Sequence, residues 1–492
     1  MSENRPNTRR VAVIGGGISG LAAAQRVVEL DPSCEVALFE RRGRLGGALW
    51  TKHEQGFQVE QGVDNFITTL PWGLDLCRRL GLEDQLVQTD PEYRQTFVVR
   101  RGRLHKLPDG FLMMAPTRMW PLAVTPILSP WGKARCALEY FLPPRKDPGD
   151  ESMASFVRRR LGREAYERLV EPLVSAVYAA DLEKLSVEAT LSRFRQMERE
   201  HGSLVRAMRR QMASRRKETK SARPESGPRF SMFVTLRAGL SSLVEAITDR
   251  LPRGAVRPDT PVVRIERHGD GWRLWTSRRA SVEAVAVDKA NCEKANGEDF
   301  DAVVMAAPSH VAAELLRPHD AELADDLASI THSGTAVLSF GFDRRQIAHP
   351  LDGMGIVMPG VERSPILACS LSSRKYPHRS PEGKVLLRVF VGGSRYPEMC
   401  EMDESQVKPR VLDELSKLLG IAGEPIYADV ARWPQTMPQY HVGHKELVAG
   451  IEAKASALAN FELCGNAYHG VGIPDCIHAA EQAAERALGG SR

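Results

Sequence analysis

One glycine-rich segment near the start of the chain has the spacing of a phosphate-binding turn. It reads Gly15-Gly16-Gly17-Ile18-Ser19-Gly20 and fits the pattern G-x-G-x-x-G. Glycines at these positions let backbone N–H groups approach a pyrophosphate, and a helix that begins there adds a partial positive charge. Glu40 follows Gly20 by 20 residues, where a carboxylate can accept hydrogen bonds from ribose hydroxyls. The spacing predicts a dinucleotide site, and a tight turn without a ligand is the alternative.

The elements that would position these residues follow in the required order. Residues 11–14 are an apolar run that predicts a short buried strand, and residues 21–30 have the apolar spacing of a helix. Residues 35–39 predict a second strand, which ends at Glu40. Because strand, glycine turn, helix, strand and acid lie in register, the pattern favours a bound ligand over a bare turn.

Two further glycine-bearing segments indicate FAD rather than an exchangeable nicotinamide dinucleotide. Arg41 and Arg44 precede the pair Gly46-Gly47, and arginine can offset the charge of a pyrophosphate. Near the end of the chain, Gly465 and the run Gly470-Val471-Gly472-Ile473 precede a predicted helix. The N-terminus of that helix can stabilise negative charge on a reduced flavin. The three segments together predict non-covalently bound FAD, although the last one alone could be an ordinary turn between a strand and a helix.

The composition is that of a globular protein and excludes several other classes. Of the 492 residues, 42% are hydrophobic and 26% are charged, which excludes a disordered or collagen-like chain. The excess of 67 basic over 62 acidic residues is too small to predict a nucleic-acid partner. The eight cysteines contain no C-x-x-C pair, so we expect free thiols in the cytoplasm and no metal site. We expect no signal peptide, because residues 1–6 are polar and lead directly into a predicted strand. We expect no membrane span, because no apolar stretch reaches roughly 18 residues.

The order of the predicted elements indicates an α/β protein with a discontinuous, Rossmann-like FAD-binding domain. Residues 101–222 have mostly helical periodicity and predict an insertion, which ends in an exposed basic linker at 214–228. Residues 311–430 are rich in predicted strands and are interpreted as a substrate-binding domain. The FAD-binding domain is then assembled from residues 1–100, 223–310 and 431–492.

These glycine-bearing segments resemble those of the FAD-dependent amine oxidase and desaturase superfamily. Four other segments are similar to the protoporphyrinogen and coproporphyrinogen oxidases within it, and the resemblance extends over nearly the whole chain. They are residues 174–181 (VSAVYAAD), 233–240 (FVTLRAGL), 437–444 (MPQYHVGH) and 464–476 (CGNAYHGVGIPDC). Residues 375–388 and 470–476 resemble the bacterial coproporphyrinogen III oxidases more than the mitochondrial enzymes.

The resemblance implies a set of flavin contacts, carried over residue by residue. It implies contacts at Gly15 to Gly20, at Glu40 and Arg41, and at the loop Gly62-Val63-Asp64-Asn65. Val63 and Asn65 depart from the relatives, which usually have proline and serine there. An adenine-side backbone contact is expected from Val263, and contacts to the isoalloxazine ring are expected from Trp433 and from Val471, Gly472 and Ile473.

The implied activity is the oxygen-dependent oxidation of coproporphyrinogen III to coproporphyrin III in haem biosynthesis. The reaction removes six electrons, so that FAD would be reduced three times. Each reduced FAD would pass its two electrons to dioxygen, and hydrogen peroxide would be released. Protoporphyrinogen IX is the alternative substrate. Another flavin amine oxidase or desaturase, and a binding protein that keeps the flavin fold without redox chemistry, are the remaining alternatives.

The substrate propionates need cations, and the sequence offers candidates for them. Some relatives carry an arginine shortly after the 62–65 loop, but residues 66–71 (FITTLP) contain none. Arg374 and Lys375 in the strand-rich segment are therefore predicted to bind a propionate, with a solvent-facing loop as the alternative interpretation. No motif marks a general base. Asp64 and His469 are candidates, for which a hydrogen-bonding role is favoured.

Several other residues are interpreted as structural. Cys464 ends an apolar strand, where cysteine usually packs as a small core residue, and His441 and His444 lack a third metal ligand nearby. Residues 193–223 carry eleven Lys or Arg against three Glu, which predicts a solvated face or a peripheral contact with an anionic membrane. Three alternatives are open for the apolar residues Met113, Met114, Met119 and Trp120. They could pack in the core, line a product exit or contact a membrane surface.

Overall fold

The computed structural model describes residues 8–116, 118–211, 232–277 and 296–489. The strands in these ranges are β1 (Arg10–Ile14), β2 (Glu35–Phe39), β3 (Thr51–Glu54), β4 (Phe57–Glu60), β5 (Phe66–Ile67), β6 (Leu86–Gln88), β7 (Thr96–Arg100), β8 (Arg103–Lys106), β9 (Phe111–Leu112), β10 (Ala115–Pro116), β11 (Phe233–Leu236), β12 (Val256–Arg257), β13 (Val262–His268), β14 (Gly271–Thr276), β15 (Asn296–Phe300), β16 (Ala302–Met305), β17 (His332–Asp343), β18 (Gly355–Val357), β19 (Ile366–Leu371), β20 (Lys384–Gly392), β21 (Tyr427–Pro438) and β22 (Phe461–Leu463).

The helices alternate with these strands along the chain. They are α1 (Ile18–Leu30), α2 (Trp72–Arg79), α3 (Met119–Val124), α4 (Pro130–Ala137), α5 (Met153–Leu161), α6 (Arg163–Ala165), α7 (Glu171–Tyr178), α8 (Val187–Thr190), α9 (Ser192–His201), α10 (204–211), α11 (Ser241–Thr248), α12 (Ser309–Leu316), α13 (Ala321–Ser329), α14 (Ser372–Lys375), α15 (Glu398–Glu401), α16 (Glu404–Leu419), α17 (His444–Ser456) and α18 (Ile473–Ala487). Short 3₁₀ turns span Glu83–Gln85, Pro91–Tyr93, Leu138–Phe141, Arg344–Gln346, Gly360–Glu362 and Pro377–Arg379, and a π-helical turn spans Tyr166–Val170.

A parallel sheet with the strand order β12-β2-β1-β16-β22 carries the glycine-rich turn. Alternate residues of its strands enter two different cores. Val11, Val13, Val36 and Leu38 pack with α1, α2, α11 and α18, and the intervening residues pack with α12, α13, α17 and the β13-β14-β15 sheet. Parallel strands that are covered on both faces are apolar throughout, which explains why residues 11–14 contain no polar side chain. The carboxyl ends of the strands meet at one edge, where ligands bind in open α/β sheets.

A second large sheet has the order β21-β17-β20-β19-β18-β7-β8. The helix α16 covers one face of it with the four buried residues Val407, Val411, Leu415 and Leu419. The other face contributes Val98, Val357 and Ala368 to the core of the helical region. This sheet therefore lies between α16 and the helices of residues 119–211.

The predicted α/β class is confirmed, and the structure differs in detail from the predicted segments. The limit at residue 100 falls within the β7–β8 hairpin, so residues 103–116 begin the predicted helical insertion with strands. The helix α13 and most of α12 lie in the predicted substrate-binding segment 311–430 but pack on the parallel sheet. Local antiparallel pairing of β7 with β8 decides the first point and the packing of α12 and α13 decides the second, and helical periodicity reports neither. The domain limits stay predictions.

The structure bears on the expected absence of a membrane span but not on the predicted basic linker. Within the described residues, no helix combines the length and the apolar composition that crossing a bilayer requires. The predicted basic linker at 214–228 lies outside the described residues.

Candidate active site

The first glycine turn closes at the carboxyl end of β1. Gly15 donates a hydrogen bond to the carbonyl of Phe39 at 2.8 Å and adopts a φ of +110°. A Cβ atom at Gly20 would overlap the Gly15 carbonyl oxygen, so this position has room only for glycine. At Gly17, in contrast, a Cβ atom would meet nothing within 4 Å. The turn therefore presents open space beside Gly17 at the N-terminus of α1, as a pyrophosphate site requires.

The second glycine pair lies directly against the first turn. Gly46 donates to the carbonyl of Gly16 at 2.8 Å and pairs in parallel with Gly17. Arg44 donates to the carbonyls of Leu45 and Gly47 at 2.8 and 2.6 Å. Its guanidinium group lies 4.7 Å over the ring of Trp50, and burial lowers its pKa. Among the described residues Arg44 forms no salt bridge, so its charge is available to offset a phosphate.

Glu40 connects three loops at the same edge of the sheet. Its carboxylate accepts hydrogen bonds from the backbone N–H groups of Gly16 and Arg42 at 2.7 and 2.9 Å. Its carbonyl accepts from Thr260 at 2.8 Å, which brings the start of β13 alongside. In the β13–β14 ladder the register passes from Val262 to Arg264, so Val263 is a bulged residue whose backbone has no facing partner. Ribose contact by Glu40 and adenine contact by Val263 stay predictions, as does the contact by the exposed Arg41.

The loop of residues 62–65 packs against Trp433 and against residue 48. The indole Nε1 of Trp433 donates to the carbonyl of Gln61 at 2.8 Å, and Val63 donates to the carbonyl of Ala48 at 3.1 Å. A Cβ atom at Gly62 would overlap the Ala48 oxygen and lie 3.2 Å from Trp433. The two departures from the relatives have local roles, because Val63 packs on the main core and the Asn65 amide donates to Asp64 at 2.9 Å.

The C-terminal turn lies at the end of β22 and leads into α18. Gly465 has a φ of +134°, and a Cβ atom there would meet nothing within 4 Å. At Gly470 and Gly472 a Cβ atom would lie 2.6 Å from the side chain of Asp475. Val471 packs against the core of the helical region. The turn thus joins the parallel sheet to the helical region, and the helix that begins at Ile473 directs its N-terminus toward this edge.

A buried group of five charged side chains lies behind the 62–65 loop. We call it the Asp64 cluster, and it comprises Glu60, Asp64, Lys375, Arg379 and Arg388. Asp64 Oδ2 lies 2.8 Å from Lys375 Nζ, and Asp64 Oδ1 lies 2.9 Å from Arg388 Nη1 and contacts Arg379. Arg388 also donates to the Gly62 carbonyl at 2.8 Å. Both of these arginines are fully buried.

The electrostatics of the cluster follow from three cations and two carboxylates. Burial opposes ionisation of Asp64, but the charges of Arg379, Lys375 and Arg388 outweigh it and hold the pKa well below its usual range. Burial lowers the pKa of Lys375, and the neighbouring Asp64 only partly offsets this. Because Glu60 and Asp64 cannot neutralise all three cations, the cluster carries excess positive charge next to the loop.

The predicted propionate-binding residues are engaged within the protein. Lys375 bonds to Asp64 and its side chain is only 14% exposed, so it does not lie on a solvent-facing loop. The Arg374 guanidinium lies 5.2 Å over the ring of Tyr93. A substrate contact by either residue stays a prediction. Sequence reasoning missed Arg379 and Glu60. For Arg388 a signal exists in the sequence, because an arginine inside the apolar strand β20 is expected to be buried and paired.

Two residues interpreted as structural, Cys464 and His444, occupy packed positions, whereas the general-base candidate His469 is exposed. Cys464 is buried, and burial raises its pKa to about 12. The ring of His444 stacks on Tyr440 at 4.0 Å. His469 pairs with Glu452 at 2.5 Å, which raises the pKa of the histidine, so this imidazole is held at α17. Among the described residues, no three His, Cys, Asp or Glu side chains are grouped to hold a metal ion.

Two arginines in the described part of the basic run 193–223 pair with carboxylates inside the helical region. Arg195 pairs with Glu198 at 2.7 Å, and Arg199 pairs with Glu188 at 2.5 Å. Residues 212–223 lie outside the described ranges. A membrane contact of this run stays a prediction.

The site as a whole fits a dinucleotide cofactor. Two positions where a Cβ atom would enter open space, Gly17 and Gly465, follow the carboxyl ends of β1 and β22, which lie on either side of β16 in the parallel sheet. The helix α1 begins at Ile18 and α18 begins at Ile473, so two N-termini supply N–H donors at this edge. With Arg44 and Trp433 beside them, these residues can hold a pyrophosphate at one end and an aromatic ring system at the other.

Comparison with known proteins gives consistent results. Residues 18–488 match the model of a family described as flavin containing amine oxidoreductase. The chain is 34% identical over 491 residues to the coproporphyrinogen III oxidase of Bacillus subtilis (strain 168), covering 98% of each protein. It is 29% identical to the chloroplastic protoporphyrinogen oxidase of Nicotiana tabacum, covering 97% of this chain and 85% of the relative.

Solved structures show the same relationship. The putative protoporphyrinogen oxidase from Exiguobacterium sp. 255-15 superposes with a TM-score of 0.83 at 30% identity, covering 98% of this chain and 99% of the other. Reduced UDP-galactopyranose mutase superposes with a TM-score of 0.70 at 16% identity over 98% of this chain and 96% of the other, which is a likeness of fold alone.

Proposed function

Because this chain belongs to the flavin containing amine oxidoreductase family, we propose that it oxidises coproporphyrinogen III to coproporphyrin III. It is an FAD-dependent oxidoreductase, and its relatives support porphyrinogen oxidation in haem synthesis. The convergence of three glycine-bearing turns at one edge of the parallel sheet, with open space at Gly17, is the observation that carries the flavin chemistry. The substrate is assigned from the 34% identity over 98% of a coproporphyrinogen III oxidase.

The overall reaction converts one coproporphyrinogen III and three dioxygen molecules into one coproporphyrin III and three hydrogen peroxide molecules. FAD, when bound, accepts two electrons at a time, so the substrate must be held for three successive oxidations. The protein has to position a flat tetrapyrrole, exclude water and balance the charge of the propionates.

The residues at the two ends of the cofactor site have different roles. The N–H groups at the start of α1 and the charge of Arg44 would hold the pyrophosphate. The 62–65 loop, Trp433 and the N-terminus of α18 would position the ring system. Val471 and Phe390, which both pack on the core of the helical region, would place apolar surface beside the ring system and help to exclude water there.

The Asp64 cluster joins the flavin-side loop to the large sheet. Arg388 lies on β20, Lys375 lies on α14, and both contact Asp64 in the loop. A displacement of the loop would leave buried charges without partners, which is costly. The cluster therefore fixes the distance between the flavin site and the sheet that borders the substrate.

The test is an aerobic assay of the purified holoprotein with coproporphyrinogen III, in which porphyrin fluorescence is followed. FAD should be released intact on denaturation, and three peroxide molecules should form for each porphyrin. Oxidation of amines or carotenoids without porphyrinogen oxidation would assign the protein to another flavin oxidase. Bound FAD without any oxidation would indicate a binding protein.

Protoporphyrinogen IX is the second candidate substrate. The 29% identity to a chloroplastic protoporphyrinogen oxidase and the superposition on a putative protoporphyrinogen oxidase support it. The ratio of kcat/KM for the two porphyrinogens decides between them, and we expect a higher value for coproporphyrinogen III.

A further inference from the structure

Arg193 is an arginine of the helical region whose charge the described part of the protein does not balance. From Arg145 to Arg199 the chain contains nine arginines. Among the described residues, eight of them form a salt bridge with a carboxylate and Arg193 does not. Its guanidinium group instead lies 4.7 Å over the ring of Phe194, which is buried in the core of the helical region. The ring supports the side chain, and the charge stays without a counterion.

The surroundings of Arg193 are those of a cleft. The residue is exposed, yet burial lowers the pKa of its guanidinium group. A cation that solvent reaches but that protein atoms crowd has lost part of its hydration. Because no carboxylate of the described residues compensates for this loss, an anion that enters the cleft would be stabilised there.

Tyr178 connects Arg193 with the C-terminal turn. The Tyr178 hydroxyl donates to the carbonyl of Thr190 at 3.4 Å, which holds the end of α7 against the residues that precede α9. Burial raises the pKa of Tyr178 to about 12, and the phenol also interacts with the charges of Asp475 and Arg193. Asp475 belongs to the flavin-side turn, where its side chain lies 2.6 Å from the Cβ position of Gly472. Tyr178 is thus in electrostatic range of both Arg193 and the turn predicted to contact the flavin.

Partly exposed apolar side chains from three parts of the chain pack on the same core as Phe194. Val471 comes from the C-terminal turn, Phe390 comes from β20, and Tyr178 and Leu191 come from the helical region. A site for a flat aromatic ligand is lined mostly by apolar side chains, with a few charged groups that fix its orientation. These four side chains supply the apolar surface, and Arg193, two residues after Leu191, supplies a charged group at its edge.

The proposed substrate needs several cations. Coproporphyrinogen III carries four propionates, and Lys375, one of the two residues predicted to bind them, is engaged with Asp64. We propose that Arg193 binds a propionate of the porphyrinogen, whose ring lies on the apolar side chains that pack beside it. The inference rests on the proposed function and adds a specificity-determining residue from the helical region. An arginine suits this role because its planar guanidinium group can form two hydrogen bonds with one carboxylate.

Binding of the product coproporphyrin III to the FAD-loaded full-length chain tests this inference, with porphyrin fluorescence as the signal. Arg193→Gln should raise the dissociation constant about fivefold, because hydrogen bonds between a guanidinium and a carboxylate are lost. Arg193→Glu should raise it further, and Arg193→Lys, which keeps the charge, should lie between the parent and Arg193→Gln. The tetramethyl ester of coproporphyrin III, measured in the same dilute detergent, should bind all four proteins equally because it has no carboxylate.

Steady-state kinetics and a matched control separate substrate binding from a structural role. In Arg193→Gln we expect the KM for coproporphyrinogen III to rise while kcat stays unchanged, because the propionate contact is the same in the bound substrate and in the transition state. Arg199→Gln removes another exposed arginine of α9, one that pairs with Glu188, and should leave the dissociation constant and KM unchanged. FAD content and the thermal unfolding midpoint of each variant should equal those of the parent.

The outcomes distinguish this inference from the proposed function. An unchanged dissociation constant in Arg193→Gln, an equal loss of affinity for the tetramethyl ester, or an equal loss in Arg199→Gln would overturn the role of Arg193 and leave the proposed function intact. A parent protein that neither binds nor oxidises a porphyrinogen would overturn both.

Discussion

The ammonium group of Lys375 lies 2.8 Å from the carboxylate of Asp64, although 311 positions separate the two residues in the sequence. Lys375 ends a short helix beside the large sheet, and Asp64 belongs to the loop that packs against Trp433 through its neighbour Gly62. The pair therefore connects the element predicted to contact the substrate with the element predicted to contact the flavin.

Replacing Gly17 with leucine should prevent FAD binding while the apoprotein still folds. The Cβ position of Gly17 faces open space, so the new side chain would extend from there into the predicted pyrophosphate site. The flavin absorbance per chain and the thermal unfolding midpoint of the apoprotein measure the two effects. Gly450→Leu, at a helical glycine that also has open space around it, is the control that should keep its FAD. Stoichiometric FAD in Gly17→Leu would contradict the placement of the pyrophosphate.

Replacing Asp64 with asparagine should destabilise the protein and weaken FAD binding together. Three buried cations would lose their shared carboxylate, and breaking such a buried pair typically costs about 3 to 5 kcal/mol. Denaturant unfolding of the apoprotein and FAD titration measure the losses. Lys375→Met should cost less, because Arg379 and Arg388 still pair with Asp64. Asp413→Asn, which removes an exposed pair with Lys417, should change neither property, and an unaffected Asp64→Asn would refute the positioning role.

Replacing Arg374 with alanine should narrow the preference for coproporphyrinogen III over protoporphyrinogen IX. Arg374 is half-buried, contacts Tyr93 and forms no salt bridge among the described residues, so its charge can balance a propionate that only the first substrate carries. The expected change in the kcat/KM ratio is on the order of 1 kcal/mol, or about fivefold. A parallel measurement on Arg317→Ala, an exposed arginine paired with Asp325, should show no change. An unaltered ratio for Arg374→Ala would remove this residue from the substrate site.

Stability should fall as the pH decreases below neutrality because of buried histidines such as His444. Burial lowers the pKa of His444 to about 4, whereas an unfolded histidine titrates at about 6.5. Between these values the unfolded chain takes up a proton that the folded chain does not, so the free energy of unfolding decreases as the pH falls toward about 4. His444→Gln should reduce this slope, and the exposed His53→Gln should not. Urea unfolding at several pH values gives the slopes, and equal slopes for the parent and His444→Gln would disprove the assignment.

Local sequence patterns were sufficient for the parts of the site that lie within one stretch of chain. The glycine turn at 15–20, the second glycine pair and the C-terminal turn each need particular backbone conformations, and few residue types allow them. Local patterns were also sufficient to predict the α/β class. Apolar runs of strand length that alternate with helical segments indicate parallel strands covered on both faces. The superfamily resemblance rests on the glycine-bearing segments, and the porphyrinogen oxidase resemblance rests on four further local segments.

Tertiary structure alone decided which distant residues meet and which face of a helix is buried. The partners of Asp64 come from residues 375–388, and no spacing rule relates a loop to a strand more than 300 positions away. The periodicity of residues 130–141 is the same whichever side faces the core, so only packing shows that Trp131 and Phe141 point outward while Glu139 is buried with Arg160. A sequence pattern records the period of an element, whereas the neighbours of that element are set by the whole fold.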